Sequence, residues 1–281
     1  MSRKFRLFRG LVLWLLIPLV GLLGFLRSYQ SKLIYFPRPY EAGEVAAWDR
    51  EPGTTVIDYE TPEGRQQAYL LSGSPAPERL WLVCGGNGTL ALEWSDWLRE
   101  HGPAGDAWLM IDIPGYGACT GKPRPGTIRQ SLEAAVPAAM ASLGWFLPAD
   151  QTKLRFFGHS LGAAVCLMGA KEYDLRRGVL LAPFSSTMDM TKELFGVDLG
   201  FLVLHRFDNR ERLEEMARRG GVEVFIFHGS DDEVIPVAMS RELAKELPGT
   251  VRYIEVPDGR HNTLQDDAPG HIAEAMKEAR K

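Results

Sequence analysis

The chain has 281 residues, 45% of them hydrophobic and 24% charged, which is ordinary globular composition and excludes a disordered, collagen-like or many-spanning membrane chain. Three cysteines are too few for a disulfide-stapled scaffold. The formal charge of −4 is unevenly spread: residues 1–38 hold seven Lys or Arg and no Asp or Glu, so the rest carries −11, a poor match for a nucleic-acid backbone.

Residues Leu11 to Leu26 read LVLWLLIPLVGLLGFL without a charge, behind four basic residues. As a helix this run reaches roughly 25 Å, short of but close to a bilayer core of about 30 Å. Pro18 is tolerable in a membrane helix. A cleaved signal peptide would need a small-residue site, and Arg27-Ser28-Tyr29-Gln30 offers a poor one. A buried core helix would have no use for the basic flank. The expectation is therefore an uncleaved signal-anchor over residues 1–30, N-terminus inside, with residues 31–281 forming a domain on the outer, extracytoplasmic side.

After Pro39 short apolar runs alternate with helical ones. Strands are expected at Thr55–Glu60, Gln67–Leu71, Leu80–Cys84, Ala107–Ile111, Leu154–Phe157, Gly178–Leu181, Val222–His228 and Val251–Val256. Helices are expected at Leu90–Arg99, Ile128–Leu143, Leu161–Lys171, Ala238–Leu247 and Ile272–Arg280. Several strands apolar throughout, separated by helices, predict an α/β fold with a mostly parallel eight-stranded sheet. The first two strands, with Thr61-Pro62-Glu63-Gly64 between them, read as a hairpin. The stretch 184–220 is long for a connection and rich in Phe, Leu and Met, and reads as an inserted helical lid. Its Phe184, Met188, Met190, Leu194, Phe195, Phe201, Leu202, Leu204 and Phe207 serve either to pack the lid on the body or to line an acyl pocket.

In a parallel sheet the reactive groups gather at the carboxyl ends of the strands. The strand ending at Phe157 runs into Gly158-His159-Ser160-Leu161-Gly162 and then a helix. Strand, G-x-S-x-G and helix form a sharp turn that exposes the serine oxygen, so Ser160 is the candidate nucleophile. A serine needs a base. Of the six histidines, His261 follows the last strand in a polar loop and lies downstream of Ser160, making it the candidate base. His159 points away, and His228, closing an apolar strand, reads as a core histidine. The base needs a carboxylate, and the penultimate strand ends at Asp231-Asp232-Glu233, among which residue chemistry alone does not choose. Gly85-Gly86-Asn87-Gly88 ends the third strand, where backbone N–H groups can meet an oxyanion, Leu161 supplying the second donor. A rival reading takes Gly86-Asn87-Gly88-Thr89-Leu90-Ala91 with Asp112 as a dinucleotide site, but it leaves Ser160 and His261 idle. No Gly-Lys-Ser/Thr occurs and no Cys/His cluster has zinc spacing, so neither a cofactor nor a metal is expected.

Five segments carry a resemblance. Leu33-Ile34-Tyr35-Phe36-Pro37, Asp112-Ile113-Pro114-Gly115-Tyr116-Gly117, the Gly158–Gly162 elbow, His228-Gly229-Ser230-Asp231-Asp232-Glu233-Val234-Ile235-Pro236 and Gly259-Arg260-His261-Asn262 resemble an α/β-hydrolase. Within that superfamily the chain is most similar to the membrane-anchored serine hydrolase branch that includes depalmitoylating thioesterases. The resemblance implies Asp232 as the catalytic acid beside Ser160 and His261, the N–H groups of Asn87 and Leu161 as the oxyanion hole, and an ester or thioester substrate of lipid-like or small-molecule kind. Three positions depart from that branch, which commonly has His-Gly-Asn at Gly85-Gly86-Asn87, often Arg at Pro114 and Ser at Cys119. Two other readings stay open: a serine aminopeptidase, which shares the elbow, and a silent membrane-tethered binding module, favoured only by Gly85. Cys84 and Cys119 follow strands that are neighbours in this fold; a bridge between them is conceivable in an oxidising compartment, three free thiols being the alternative.

Overall fold

The structure, a computed structural model, describes residues 3–281, with the backbone alone at positions 3–13, 15, 16, 19, 26 and 27. Helix α1 (Arg3–Ile34) is followed by α2 (Glu44–Trp48), the hairpin β1 (Thr54–Thr61) and β2 (Gly64–Ser72), then β3 (Leu80–Cys84). A 3-10 turn (Ala91–Trp94) leads into α3 (Ser95–His101), β4 (Ala107–Ile111) and α4 (Pro125–Ser142). Next come β5 (Leu154–His159), α5 (Leu161–Glu172), β6 (Arg177–Leu181), α6 (Thr187–Phe195) and α7 (Asn209–Arg219). The chain closes with β7 (Glu223–Gly229), α8 (Val237–Glu246), β8 (Val251–Val256), α9 (Leu264–Asp267) and α10 (Pro269–Ala279).

The eight strands form one sheet in the order β1-β2-β4-β3-β5-β6-β7-β8. Only β1–β2 and β2–β4 pair antiparallel; every later pair is parallel. The central strands are buried on both faces, which is why β3 and β4 read as unbroken apolar runs. One face is covered by α4, α5, α7 and α8, through residues such as Leu132, Val165, Leu213 and Leu243. The other carries α3 and α10, through Leu98, Ile272 and Met276. Trp81 and Trp108 stack there between neighbouring parallel strands, ring centroids 5.4 Å apart.

The stretch 184–220 divides into two. Helix α7 buries Leu213 and Met216 in the body's core, so it is the ordinary crossover between β6 and β7. Only the part around α6 and the turn Gly200–Leu202 stands over the sheet edge as a lid, a narrower one than the sequence suggests. Among the described residues no helix is long and apolar enough to cross a membrane. The anchor expectation falls largely on positions whose side chains, including Leu11–Leu13, Leu15, Leu16, Leu19 and Leu26, lie outside those described.

Candidate active site

Ser160 stands between β5 and α5 with φ 55° and ψ −119°, a left-handed conformation that non-glycine residues rarely hold. Its own N–H donates to the Leu181 carbonyl at 2.9 Å and locks the turn to β6. The flanking glycines are there because nothing larger fits. A Cβ on Gly158 would lie 2.7 Å from the Gly162 carbonyl oxygen, and one on Gly162 only 2.0 Å from that of Cys84. The turn is therefore squeezed between two strands, and the serine oxygen is pushed outward over the carboxyl edge of the sheet.

The other predicted side chains arrive from β7 and β8. The Ser160 hydroxyl lies 2.9 Å from Nε2 of His261, and Nδ1 of His261 lies 2.7 Å from Oδ2 of Asp232. A carboxylate only accepts, so Nδ1 carries the proton and Nε2 is left to accept from the serine. All three side chains are enclosed; that of Asp232 is 0% exposed.

The structure chooses among the three acids. Asp231 and Glu233 are exposed, whereas Asp232 is turned inward by the Val234 and Ile235 N–H groups, which donate to its Oδ1 at 2.8 and 2.7 Å. Burial works to raise the Asp232 carboxyl. Hydrogen bonds from His228, His261 and the Ile235 N–H outweigh it and hold the group well below the usual carboxylate range.

His228 is indeed buried in the core, but it also faces the site. Its Nε2–H donates to the Ile235 carbonyl at 2.9 Å and lies 3.2 Å from Asp232 Oδ2; its Nδ1 accepts from the Ser240 hydroxyl at 2.7 Å. His159 points away from Ser160 as expected, yet its Nε2–H donates to the His261 carbonyl at 3.0 Å and fixes that loop. Burial, then the neighbouring His261, lowers the His159 imidazole to about 4, so it is neutral at pH 7.

Asn87 follows β3 and its N–H meets no acceptor among the described residues. Leu161 is the first residue of α5, so its N–H has no intrahelical partner. Both residues and Ser160 border one cavity. The Asn87 side chain is fixed by two groups that sequence reasoning did not single out. Its Oδ1 accepts from the Tyr116 hydroxyl at 2.8 Å and from the Phe36 N–H at 2.9 Å. The space a histidine would need at position 85 is filled, since a Cβ there would lie 2.9 Å from Trp94 Nε1 and 3.1 Å from Thr89 Cγ2. Tyr116 and Phe36 thus hold the turn that Gly85 cannot. Their one sequence signal is membership of the Asp112–Gly117 and Leu33–Pro37 segments that carry the resemblance.

The dinucleotide reading fails on geometry. Asp112 is 2% exposed and its Oδ1 accepts the Ala91 N–H at 2.9 Å, so it is committed to the turn rather than open to a ribose. The three cysteines are free and buried. The Cys84 thiol neighbours that of Cys166. Cys119 instead spans the Gln67 backbone, accepting from its N–H at 3.4 Å and donating to its carbonyl at 3.3 Å.

Above the triad opens a cavity of about 410 Å³. Met190, Leu194, Phe195 and Leu202 of the lid line it, with Leu199 and Val203, which the sequence reading passed over. Phe207 is fully buried and fastens the lid to the body. The far wall is the last turn of α1, through Gln30, Leu33 and Ile34. Gln30 donates to the Leu202 carbonyl and accepts from the Leu204 N–H, at 2.7 Å for the latter, so α1 and the lid are stitched together beside Ser160.

No family model matches the chain. It is 30% identical over 247 residues to the protein named Uncharacterized protein Rv2307c of Mycobacterium tuberculosis, covering 86% of this chain and 84% of that one. Among solved structures, an alpha-beta hydrolase from Vibrio vulnificus superposes with a TM-score of 0.66 at 16% identity, over 86% of this chain and 87% of that one. An esterase of Pyrococcus furiosus superposes with a TM-score of 0.62 at 15% identity, over 88% of this chain and 98% of that one. These superpositions show the α/β-hydrolase fold.

Proposed function

The chain belongs to the family of the mycobacterial protein Rv2307c and has the α/β-hydrolase fold, and from that premise we propose that it is a membrane-anchored serine hydrolase of esters or thioesters with apolar acyl groups. The observation that carries this reading is the unbroken chain Ser160–His261–Asp232, with contacts of 2.9 and 2.7 Å, opening on an apolar cavity.

In this mechanism Ser160 Oγ attacks the acyl carbonyl as His261 Nε2 takes its proton. The resulting imidazolium is stabilised by Asp232, which stays ionised. The N–H groups of Asn87 and Leu161 receive the negative charge that forms on the carbonyl oxygen, an interaction typically worth about 100- to 1000-fold in rate per donor. His261 returns the proton to the leaving alcohol or thiol, and a water activated by the same imidazole releases the acid.

The cavity favours this reading over the two others. An aminopeptidase needs an acid to hold a free α-amino group, and none of the residues described around the cavity is Asp or Glu. A silent module was suggested by Gly85, but Tyr116 and Phe36 support Asn87 without a histidine there. Membrane attachment through α1 is supported by Trp14, Ile17, Val20 and Phe25, apolar side chains 53–81% exposed that no part of the body covers.

The test is a fluorescent fluorophosphonate applied to the full chain, with p-nitrophenyl butyrate turnover measured alongside. Labelling and turnover of the native chain, both lost in Ser160→Ala with the circular dichroism spectrum kept, are expected. Turnover retained by a purified Ser160→Ala chain would refute the assignment.

A further inference from the structure

The end of α1 separates two cavities. Gln30, Leu33 and Ile34 face the triad, whereas Ser28, Ser31, Lys32 and Tyr35 border a second cavity of about 660 Å³. The spacings of three and four residues within each set place them on different faces of one helix. Opposite α1, the second cavity is closed by the loop carrying Lys122 and Arg124, and by the start of α4 at Pro125.

None of the residues described around this cavity is acidic. Lys32, Lys122 and Arg124 form no ion pair among the described residues, whereas Arg38, Arg176, Arg210, Arg241, Arg252 and Arg280 all do. Glu63 is nearby but receives the Lys122 backbone N–H, at 3.0 Å. Residues 39–281 carry −11, so Lys122 and Arg124 of that body, gathered with Lys32 around one hollow, are a local reversal of sign.

The hollow is also preorganised. Thr127 Oγ1 donates to the Lys122 carbonyl at 2.8 Å and accepts from the Arg124 N–H at 3.0 Å, fixing the backbone between the two cations. The positive end of α4, an 18-residue helix, adds to the field. The Tyr35 hydroxyl, 3.1 Å from His205 Nδ1, places a further polar group at the wall.

We propose that this cleft binds a phosphate group, that of an anionic phospholipid headgroup lying beside α1. Cations with hydroxyls and no acid suit an oxyanion that takes several donors at once. The depth fits as well, because Ser28 lies two residues beyond the apolar run that ends at Leu26, where headgroups would surround an anchoring helix. A free phosphate shares the chemistry, and the experiment separates the two sources.

The test uses the full chain in neutral detergent, carrying Ser160→Ala so that no lipid is turned over whatever the catalytic reading. It is titrated calorimetrically with dihexanoyl-phosphatidylglycerol, dihexanoyl-phosphatidylcholine and inorganic phosphate. Phosphatidylglycerol is expected to bind and phosphatidylcholine to bind at least tenfold more weakly. Each of Lys32→Ala, Lys122→Ala and Arg124→Ala should cost about fivefold, the price per basic residue near an anionic surface. Arg218→Ala, an exposed cation elsewhere, should cost nothing. Thermal unfolding of each variant establishes that the fold is kept. Inorganic phosphate binding with the same losses identifies a phosphate site open to both sources; no phosphate binding identifies the lipid. The proposal is overturned if neither anion binds, if phosphatidylcholine binds equally well, or if folded variants bind like the native chain.

Discussion

Tyr116 lies outside the proposed triad but holds the turn proposed to bind the oxyanion. Its hydroxyl accepts from the Phe36 N–H at 2.8 Å and donates to Asn87 Oδ1 at 2.8 Å, joining three segments around the oxyanion turn. In the proposed mechanism the Asn87 N–H acts only once charge has formed on the substrate oxygen, so loosening it should leave ground-state binding alone. Tyr116→Phe is expected to lower kcat by about tenfold with KM unchanged, since the turn keeps its Phe36 contact and loses one of two restraints. Steady-state kinetics on p-nitrophenyl butyrate decide it: an unchanged kcat removes Tyr116 from the positioning of the turn. His228 plays the corresponding part for Asp232, to which it presents a second imidazole N–H.

At the level of elements, α1 has two assignments rather than one. Its apolar run is the proposed anchor, and its last turn is a wall of the apolar cavity beside Ser160, tied to the lid by Gln30. Two part-buried hydrogen bonds between the Gln30 amide and the lid backbone contribute about 1 kcal/mol each, enough to bias a short lid segment between seated and loose positions. Gln30→Ala should therefore spare small substrates and impair those whose acyl chain fills the cavity. The expected result is an about tenfold fall in kcat/KM for p-nitrophenyl decanoate with that for the acetate unchanged; equal losses on both esters would show that Gln30 acts on the chemistry and not on the cavity wall. The narrow lid follows from the same packing. Leu213 and Met216 give α7 an apolar stripe that only the body can bury, leaving α6 and the Gly200–Leu202 turn to cover the site.

The stability of the whole molecule carries two opposed proton linkages. His159 is lowered to about 4 by burial first and His261 second; its stabilising contribution is complete above the unfolded value near 6.5 and is lost as pH falls toward 4. Asp112 is raised to about 6, chiefly by burial, and its Oδ2 has no hydrogen-bond partner among the described residues. Its contribution runs the other way, complete below about 3.9 and lost as pH rises through 6. Between pH 4 and 6 the two slopes cancel. Asp112→Asn removes one of them and should make stability rise with pH by up to about 1.4 kcal/mol per unit over that range. The variant is then more stable than the native chain at pH 7, by about 3 kcal/mol at most, with the difference vanishing toward pH 4. Urea denaturation at pH 4.5, 5.5 and 6.5 measures it; parallel curves for the two chains would show that folding does not raise the Asp112 carboxyl.

Much of this architecture is written in local pattern. Five central strands are mostly apolar because both their faces are covered, and the Gly158–Gly162 turn is legible because its glycines answer to contacts with β3 and with the turn's own backbone. The order Ser160, Asp or Glu, His261 follows from which strands end in chemistry. What remained open in the linear chain depends on groups that meet only after folding. Asp232 is separated from Asp231 and Glu233 by the direction of the Val234 and Ile235 N–H groups, a matter of loop geometry that identical carboxylates cannot signal. Asn87 is held by a phenol and a backbone amide 29 and 51 residues away, and the lid by a glutamine 172 residues away. Hydrogen bonds of that range leave no periodicity in a sequence, because their partners are fixed by the packing of whole elements and not by the residues beside them.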